Sequence, residues 1–497
     1  MNRLWEQLFC IDRECRRLEK AAAVLQWDQE TNLPPGGIEE RAEQIALLQS
    51  IWHRKFTDGE TGRLLDRAEA EDASPLERDF CRVLRRNYDR AVKLPGELVR
   101  DAARAEGLSQ AAWVEARRNN DFASFAPHLK AMIGFARAKA GCWGFEGPRT
   151  YDGLLDVYEP GLTAGETEAL FTPLREGLTG LLQKIGRASP PEDAFLEWNY
   201  PVEDQVRFNR ELMEGLGFDT RRGRLDTSAH PFTTSLGFDD IRITTRYDPN
   251  QVLSGIFSTI HESGHAFYEL GFAPELRGTC LAEGASMAIH ESQSRLWENV
   301  IGRSRPFWEF WLPRLKARFP GRLSETGPEA FYRAVNRVRP SLIRVEADEV
   351  TYALHIILRF ELEKRLFAGT LQVEELPGAW RGLMREFFGL EPPTDADGVL
   401  QDVHWSMGSF GYFPSYALGN LYSLQFWGKL RRDLPEAETR IREGKFETIR
   451  QWLRENIYSR GCRPEPAELL RTVTGEKLSV APFLEYIKDK YTELYGL

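Results

Sequence analysis

No stretch of this 497-residue sequence approaches the roughly 18 consecutive apolar residues that a membrane-spanning helix needs, so no span or membrane anchor is expected. An uninterrupted apolar leader is missing too. Met1 to Lys20 mixes Arg3, Glu6, Asp12, Arg13, Glu14, Arg16 and Arg17 with apolar residues, unlike a secretory signal, and a cytoplasmic protein is expected. Positive charge is in deficit: 65 Lys and Arg stand against 75 Asp and Glu, a formal net charge of -10. That balance offers no global basic field to nucleic acid or anionic lipid, and neither is expected as a partner. Clustered cysteine is lacking. Cys10, Cys15, Cys81, Cys142, Cys280 and Cys462 are scattered with no C-x-x-C pair, which points to reduced, mostly buried thiols and against a disulfide framework. Low-complexity linkers and internal repeats are absent as well, which favours one continuous domain over residues 1–497.

What is present is globular composition, 42% hydrophobic and 28% charged, enough for a sizeable core. The pattern is mainly α. Apolar residues recur at three- and four-residue spacing from Trp5 to about Ile133, as in Ile45, Leu48 and Trp52. Breaks fall at Pro34 to Gly37, at a cap and start between Asp72 and Pro75, and at Pro95 and Gly96. One β signal stands out between about Arg224 and Tyr247, where Asp240 to Arg246 alternate in type after Gly237, so a hairpin or short sheet is expected. Helical patterning resumes beyond Pro249 and runs to Leu497, with loops at Pro320 to Pro328, Pro392 to Gly398 and Gly408 to Pro414.

The segment Ile260-His261-Glu262-Ser263-Gly264-His265 is an H-E-x-x-H match. On a helix, His261 and His265 lie one turn apart on one face, so both imidazoles reach one metal while Glu262 projects beside the attacking water. With only eight histidines in the chain, such a match arises by accident with a probability on the order of 0.01, so two ordinary helix histidines are a poor account. Asp248 as cap, Pro249 in the first turn and Gly271 at the end define the helix. Gly264 in its middle costs roughly 1 kcal/mol against Ala, which a close approach by another backbone or by substrate would explain. Catalytic zinc keeps three protein ligands and an open position. A second helix, Glu283 to Ile301, offers His290 or Glu291 as the third, and since adjacent positions diverge by about 100 degrees only one of them points at the metal.

With His290-Glu291-Ser292-Gln293-Ser294-Arg295 following the motif, the sequence resembles the Taq-type metallocarboxypeptidases, peptidase family M32. Further matching stretches are His230-Pro231-Phe232; Asp240 to Thr244; Ile343-Arg344 leading to Ala347-Asp348-Glu349; Gly398, Gln401, Asp402, His404 and Trp405; and Leu25 to Thr31. The resemblance thus runs nearly end to end. It implies Glu291 as the third ligand, one zinc ion per chain with cobalt able to substitute, and a zinc-dependent carboxypeptidase of broad specificity acting on unstructured peptides. It also implies a gluzincin, neurolysin-like fold: a single large helical body with a deep substrate groove and a small antiparallel sheet near the zinc, commonly homodimeric.

Other residues divide between functional and plain structural readings. Glu262 is the general base. Tyr412, in the loop Gly411 to Tyr416, and His404 offer donors to an oxyanion, although loop aromatics equally pack on the body. The resemblance points to Arg344 as the receptor of the substrate's C-terminal carboxylate; as an ordinary arginine it would pair with Asp348. Arg242 is a second candidate, with Asp240 as an equally good partner. His230 either touches substrate or orders a turn. Gln401 and Asp402 form a polar group near the cleft by resemblance, Asp402 orienting an imidazole. His53, His128 and His355 carry no pattern. Two rivals stand beside the carboxypeptidase: a zinc oligopeptidase cutting internally, and a non-catalytic helical scaffold or peptide-binding module with a structural metal.

Overall fold

A computed structural model describes residues 3–497, and the chain is predominantly helical. Four helices open it: α1 (Arg3–Thr31), α2 (Ile38–Phe56), α3 (Gly59–Glu69) and α4 (Pro75–Val92). The breaks lie where the sequence places them. Pro35–Gly37 forms a tight 3-10 turn between α1 and α2. A capping box starts α4: the Ser74 hydroxyl accepts from the Glu77 amide at 3.3 Å, the Glu77 carboxylate accepts from the Ser74 amide at 2.9 Å, and Pro75 follows in the first turn. Phe80, Leu84 and Tyr88 recur every four residues along α4 and join Trp5, Leu8, Phe56 and Leu65 in an N-terminal core that also takes in Leu276, Cys280 and Leu281. A much larger core occupies the remainder of the chain.

Three strands interrupt the helices: β1 (Gly223–Thr227), β2 (Thr233–Gly237) and β3 (Asp240–Thr245). The sheet is mixed rather than wholly antiparallel. Its order is β1-β3-β2, with β3 antiparallel to β2 and parallel to β1. Residues 228–232, stiffened by Pro231, carry the chain across and reverse it, so the β2–β3 hairpin returns β3 beside β1 in the same direction. Ile241 and Ile243 of β3 are fully buried. On the sheet's other side Arg224 and Arg242 flank the indole of Trp27 at 5.4 and 4.4 Å, and Lys20 donates to Ser235 at 3.0 Å, which docks α1.

Two helices begin later than their sequence signals. The motif helix spans Val252–Leu270: Asp248 accepts from the Asn250 amide at 2.7 Å and closes a local turn instead of capping the helix, while Gly271 stands at the C-terminus. The second helix, which offers the candidates for the third ligand and is termed the ligand helix, spans Met287–Arg295 because Ser286 caps it by accepting from the Ile289 amide at 3.0 Å. It continues as a π-helical stretch, Leu296–Gly302. Among the described residues no helix is long and apolar enough to cross a membrane.

Candidate metal centre

Packing holds the motif helix on almost every side: Ile256, Ile260, Ser263, Ala266 and Tyr268 are all buried. Gly264 explains how the ligand helix comes so near. A Cβ there would lie 2.7 Å from the Gln293 carbonyl oxygen and 2.7 Å from the Ser294 Cα, both backbone atoms of that helix. Gly419, on the helix Pro414–Asp433, serves from the other side, where a Cβ would stand 2.5 Å from Glu291 Cγ. The ligand helix is thus held between two glycines, with Gly264 against its backbone at Gln293 and Ser294 and Gly419 against Glu291.

The result is convergence. Glu291 Oε2 lies 3.7 Å from His261 Nε2 and 3.4 Å from His265 Nε2, and one ligand atom from each residue falls within 4.8 Å of the others. Two imidazole nitrogens and one carboxylate oxygen form a donor set that suits zinc, with no cysteine in the group. The opposite edges of these side chains are fixed. His261 Nδ1 bonds Glu298 Oε2 at 2.8 Å. His265 Nδ1 meets His290 Nδ1 at 2.6 Å, and His290 Nε2 meets Glu269 Oε1 at 2.9 Å. A coherent proton assignment runs outward: His265 Nδ1–H donates to His290, and His290 Nε2–H donates to the Glu269 carboxylate, which leaves His265 Nε2 as a free lone pair. Arg295 Nε donates to Glu291 Oε1 at 2.6 Å.

Electrostatics follow the same plan. Burial, with the neighbouring His290 and His261, pushes His265 down to about 3, against the opposing pull of Glu291, so the ring is neutral and able to ligate. Burial opposes ionisation of Glu291, yet Arg295 and the two histidines hold it well below the usual carboxylate range. Glu298 is treated likewise and falls to about 2, with Arg295 the main cause against burial. Glu262 is shifted the other way. Burial raises it, only partly offset by His261 and by the Thr233 hydroxyl, which donates to Glu262 Oε2 at 2.6 Å.

These groups line a cavity of about 720 Å³, together with Pro231, Phe232, Thr233, Tyr412 and Tyr416. Tyr412 packs edge-on against Tyr158 at 4.9 Å and Tyr416 at 5.1 Å. Burial raises its phenol, so the O–H is retained. His404 sits behind Tyr416: its Nε2 is 3.2 Å from the Tyr416 hydroxyl, its ring lies 4.5 Å from Phe413, and burial pushes it down to about 4. Arg344 is also set back, its guanidinium 5.1 Å from the Tyr416 ring. Its partner is not Asp348, which instead accepts from Thr351 and Val350. Arg344 Nε donates to Asp402 at 3.0 Å, and the Gln401 side chain accepts from the Arg344 amide at 2.9 Å. Asp402 therefore orients no imidazole; its other oxygen accepts from Arg359 Nε at 2.7 Å. Arg242 forks onto Asp240 at 2.9 Å and 2.9 Å beside Trp27, away from the cavity lining. His230 is exposed, and its carbonyl accepts from the Ser228 hydroxyl at 2.6 Å in the turn that delivers Pro231 and Phe232.

Thr233, Glu269, Glu298 and Arg359 also belong to this arrangement and carry no motif that marks them in the sequence. Glu269 leaves only a signal of spacing, since His261, His265 and Glu269 repeat every four residues on one helical face. Thr233 leaves none, because its partner is 29 residues away.

Residues 7–491 match the family model described as carboxypeptidase Taq (M32) metallopeptidase. The chain is 44% identical to Thermostable carboxypeptidase 1 of Thermus thermophilus over 508 aligned positions, covering 99% of each chain. It is 38% identical to Carboxypeptidase 1 of Bacillus subtilis, again covering 99% of each. The crystal structure of an M32 carboxypeptidase from Deinococcus radiodurans superposes with a TM-score of 0.97 at 40% identity, over 99% of this chain and 100% of that one. With this likeness running end to end, the chain belongs to the Taq-type M32 family of metallocarboxypeptidases.

Proposed function

We propose that the chain removes single residues from the C-termini of unstructured peptides with broad specificity, using one zinc ion held by His261, His265 and Glu291. The observation that carries this reading is the convergence of three ligand atoms within 4.8 Å, beside Glu262, on one cavity. Zinc, or cobalt in its place, supplies Lewis-acid polarisation of the scissile carbonyl and a water pKa lowered towards about 7. Glu262 accepts the proton of the attacking water at the carboxylate oxygen that Thr233 leaves free, and delivers it to the leaving amine. Its burial favours this exchange by raising its proton affinity. The Tyr412 phenol donates to the developing oxyanion. Arg344 supplies positive charge from behind Tyr416, at the carboxylate end of the site, with Gln401 and Asp402 holding Arg344 and His404 holding the Tyr416 hydroxyl. The same reading takes the chain as one catalytic domain and as cytoplasmic, from its composition and patterning, and as a homodimer, which the family resemblance implies.

The test compares one unstructured peptide as free acid and as C-terminal amide, with products followed by mass. Stepwise loss of single residues from the free acid alone, abolished by a chelator and restored by zinc or cobalt, is the expected result. Equal internal cleavage of both forms would make the chain an oligopeptidase and remove the role of Arg344.

A further inference from the structure

One wall of the cavity is contributed by α4, and that wall is basic. Arg82, Arg86 and Arg90 all line the cavity, with Lys20 of α1 beside them. Their placement follows from helical geometry. Phe80, Leu84 and Tyr88 occupy the face that packs into the N-terminal core, and residues two positions on are turned by about 200 degrees, so the arginines at 82, 86 and 90 form a stripe on the opposite face.

Ordinary ion pairing does not account for the stripe. Arg86 and Arg90 share one carboxylate: Arg86 Nη2 reaches Asp156 Oδ2 at 3.1 Å, and Arg90 Nη2 bonds the same oxygen. Each uses a single guanidinium nitrogen on a protein acceptor. Arg82 donates to the Arg463 carbonyl, with Glu465 no nearer than 3.7 Å, and Lys20 donates only to the neutral Ser235 hydroxyl. Four cations thus meet two carboxylates. The other acids on the cavity are engaged elsewhere: Glu269 with His290, Glu283 with Arg16, and Glu262 and Glu291 within the metal centre.

We propose that Arg82, Arg86 and Arg90 form a carboxylate-binding subsite that takes acidic side chains of the peptide substrate. This rests on the peptide-cleaving reading above. The stripe extends about 12 Å along the helix, the reach of roughly three to four residues of extended chain, whereas a C-terminal carboxylate is a single point of charge. Partly exposed guanidiniums in a groove hold carboxylates through forked hydrogen bonds and attract them at a distance.

The experiment uses the whole metal-loaded enzyme and the double variant Arg82→Gln/Arg86→Gln, which leaves Arg90 to hold Asp156, with Arg82→Gln alone and circular dichroism as checks on folding. Substrates are free-acid peptides of one neutral sequence and of the same sequence with one or two Asp residues placed at successive positions upstream of the scissile bond. The expected outcome is a fall of about tenfold in kcat/KM for peptides with two upstream acids and less than about twofold for the neutral one, the wild-type preference shrinking as salt is raised. Equal change in both sets, whether none or a uniform rise in KM, overturns the proposal; the uniform rise would assign the arginines to the C-terminal carboxylate. Binding of dye-labelled peptides to Glu262→Gln, with and without the arginine changes, reads the same preference without turnover. Absence of cleavage by the wild type therefore counts against the catalytic reading and leaves the subsite separately decided.

Discussion

Glu262 and the residues that face the ligands away from the metal carry the sharpest tests at the scale of single side chains. Replacing Glu262 by Gln preserves shape and leaves His261, His265 and Glu291 untouched, so metal content per chain stays at the wild-type level while kcat falls by about a hundredfold to ten-thousandfold. A variant that loses its metal instead would show that Glu262 is a ligand. His290 is one of two candidates in the sequence for the third ligand, and the structure gives it another task, bridging His265 to Glu269. His290→Ala is expected to weaken metal binding by about tenfold to a hundredfold, read by competition with a chelator, with the fold intact. Unchanged affinity would mean that packing alone orients His265.

Among the secondary elements, the contact between the motif helix and the ligand helix determines whether a site exists at all. Gly264 allows that contact because both nearest atoms are backbone and cannot yield. Gly264→Ala is expected to lower stability by about 1–3 kcal/mol and to weaken metal binding in parallel, since the two helices separate. Gly107, mid-helix with nothing within 4 Å of where a methyl would stand, is the control. There Ala should stabilise by about 0.5–1 kcal/mol without changing metal affinity, as thermal unfolding and chelator titration would report. The helix Tyr352–Ala368 works differently, as a clamp on the loop that carries His404 and Tyr412. Arg359 holds Asp402, and one turn later the fully buried Glu363 accepts from Trp405 at 2.7 Å, the Gly411 amide at 2.8 Å and Tyr151 at 2.8 Å.

For the molecule as a whole, that buried carboxyl links folding to pH. Burial pushes Glu363 up to about 7 from an ordinary 4.5, against the lowering effect of its three donors and Arg359. Between those values the folded chain retains a proton that the unfolded chain has released, so this group's stabilisation is complete below about 4.5 and is lost as pH rises through about 7. Gln cannot titrate. The melting temperature of the wild type is therefore expected to fall relative to that of Glu363→Gln between about pH 5 and about pH 8. A constant offset across that range would show that the carboxyl is ionised in the fold throughout it, as it is in the unfolded chain. The cavity itself is a whole-molecule feature, since its walls come from both the N-terminal core and the larger one.

Whatever depends on spacing along one helix is legible in the amino-acid sequence: the pairing of His261 with His265, the placement of Glu262 between them, the breaks at Pro35 and Pro75, and the need for a close neighbour at Gly264. Helix geometry converts such spacing into position without reference to the rest of the chain. Tertiary packing sets how β3 returns beside β1, how far back Arg344 lies behind Tyr416, and that Asp402 serves two arginines rather than an imidazole. It alone turns the polar face of α4 towards the metal centre. Each of these is a meeting of segments far apart in sequence, fixed by which apolar faces bury against one another, and periodicity within a segment says which face is buried but not what it is buried against.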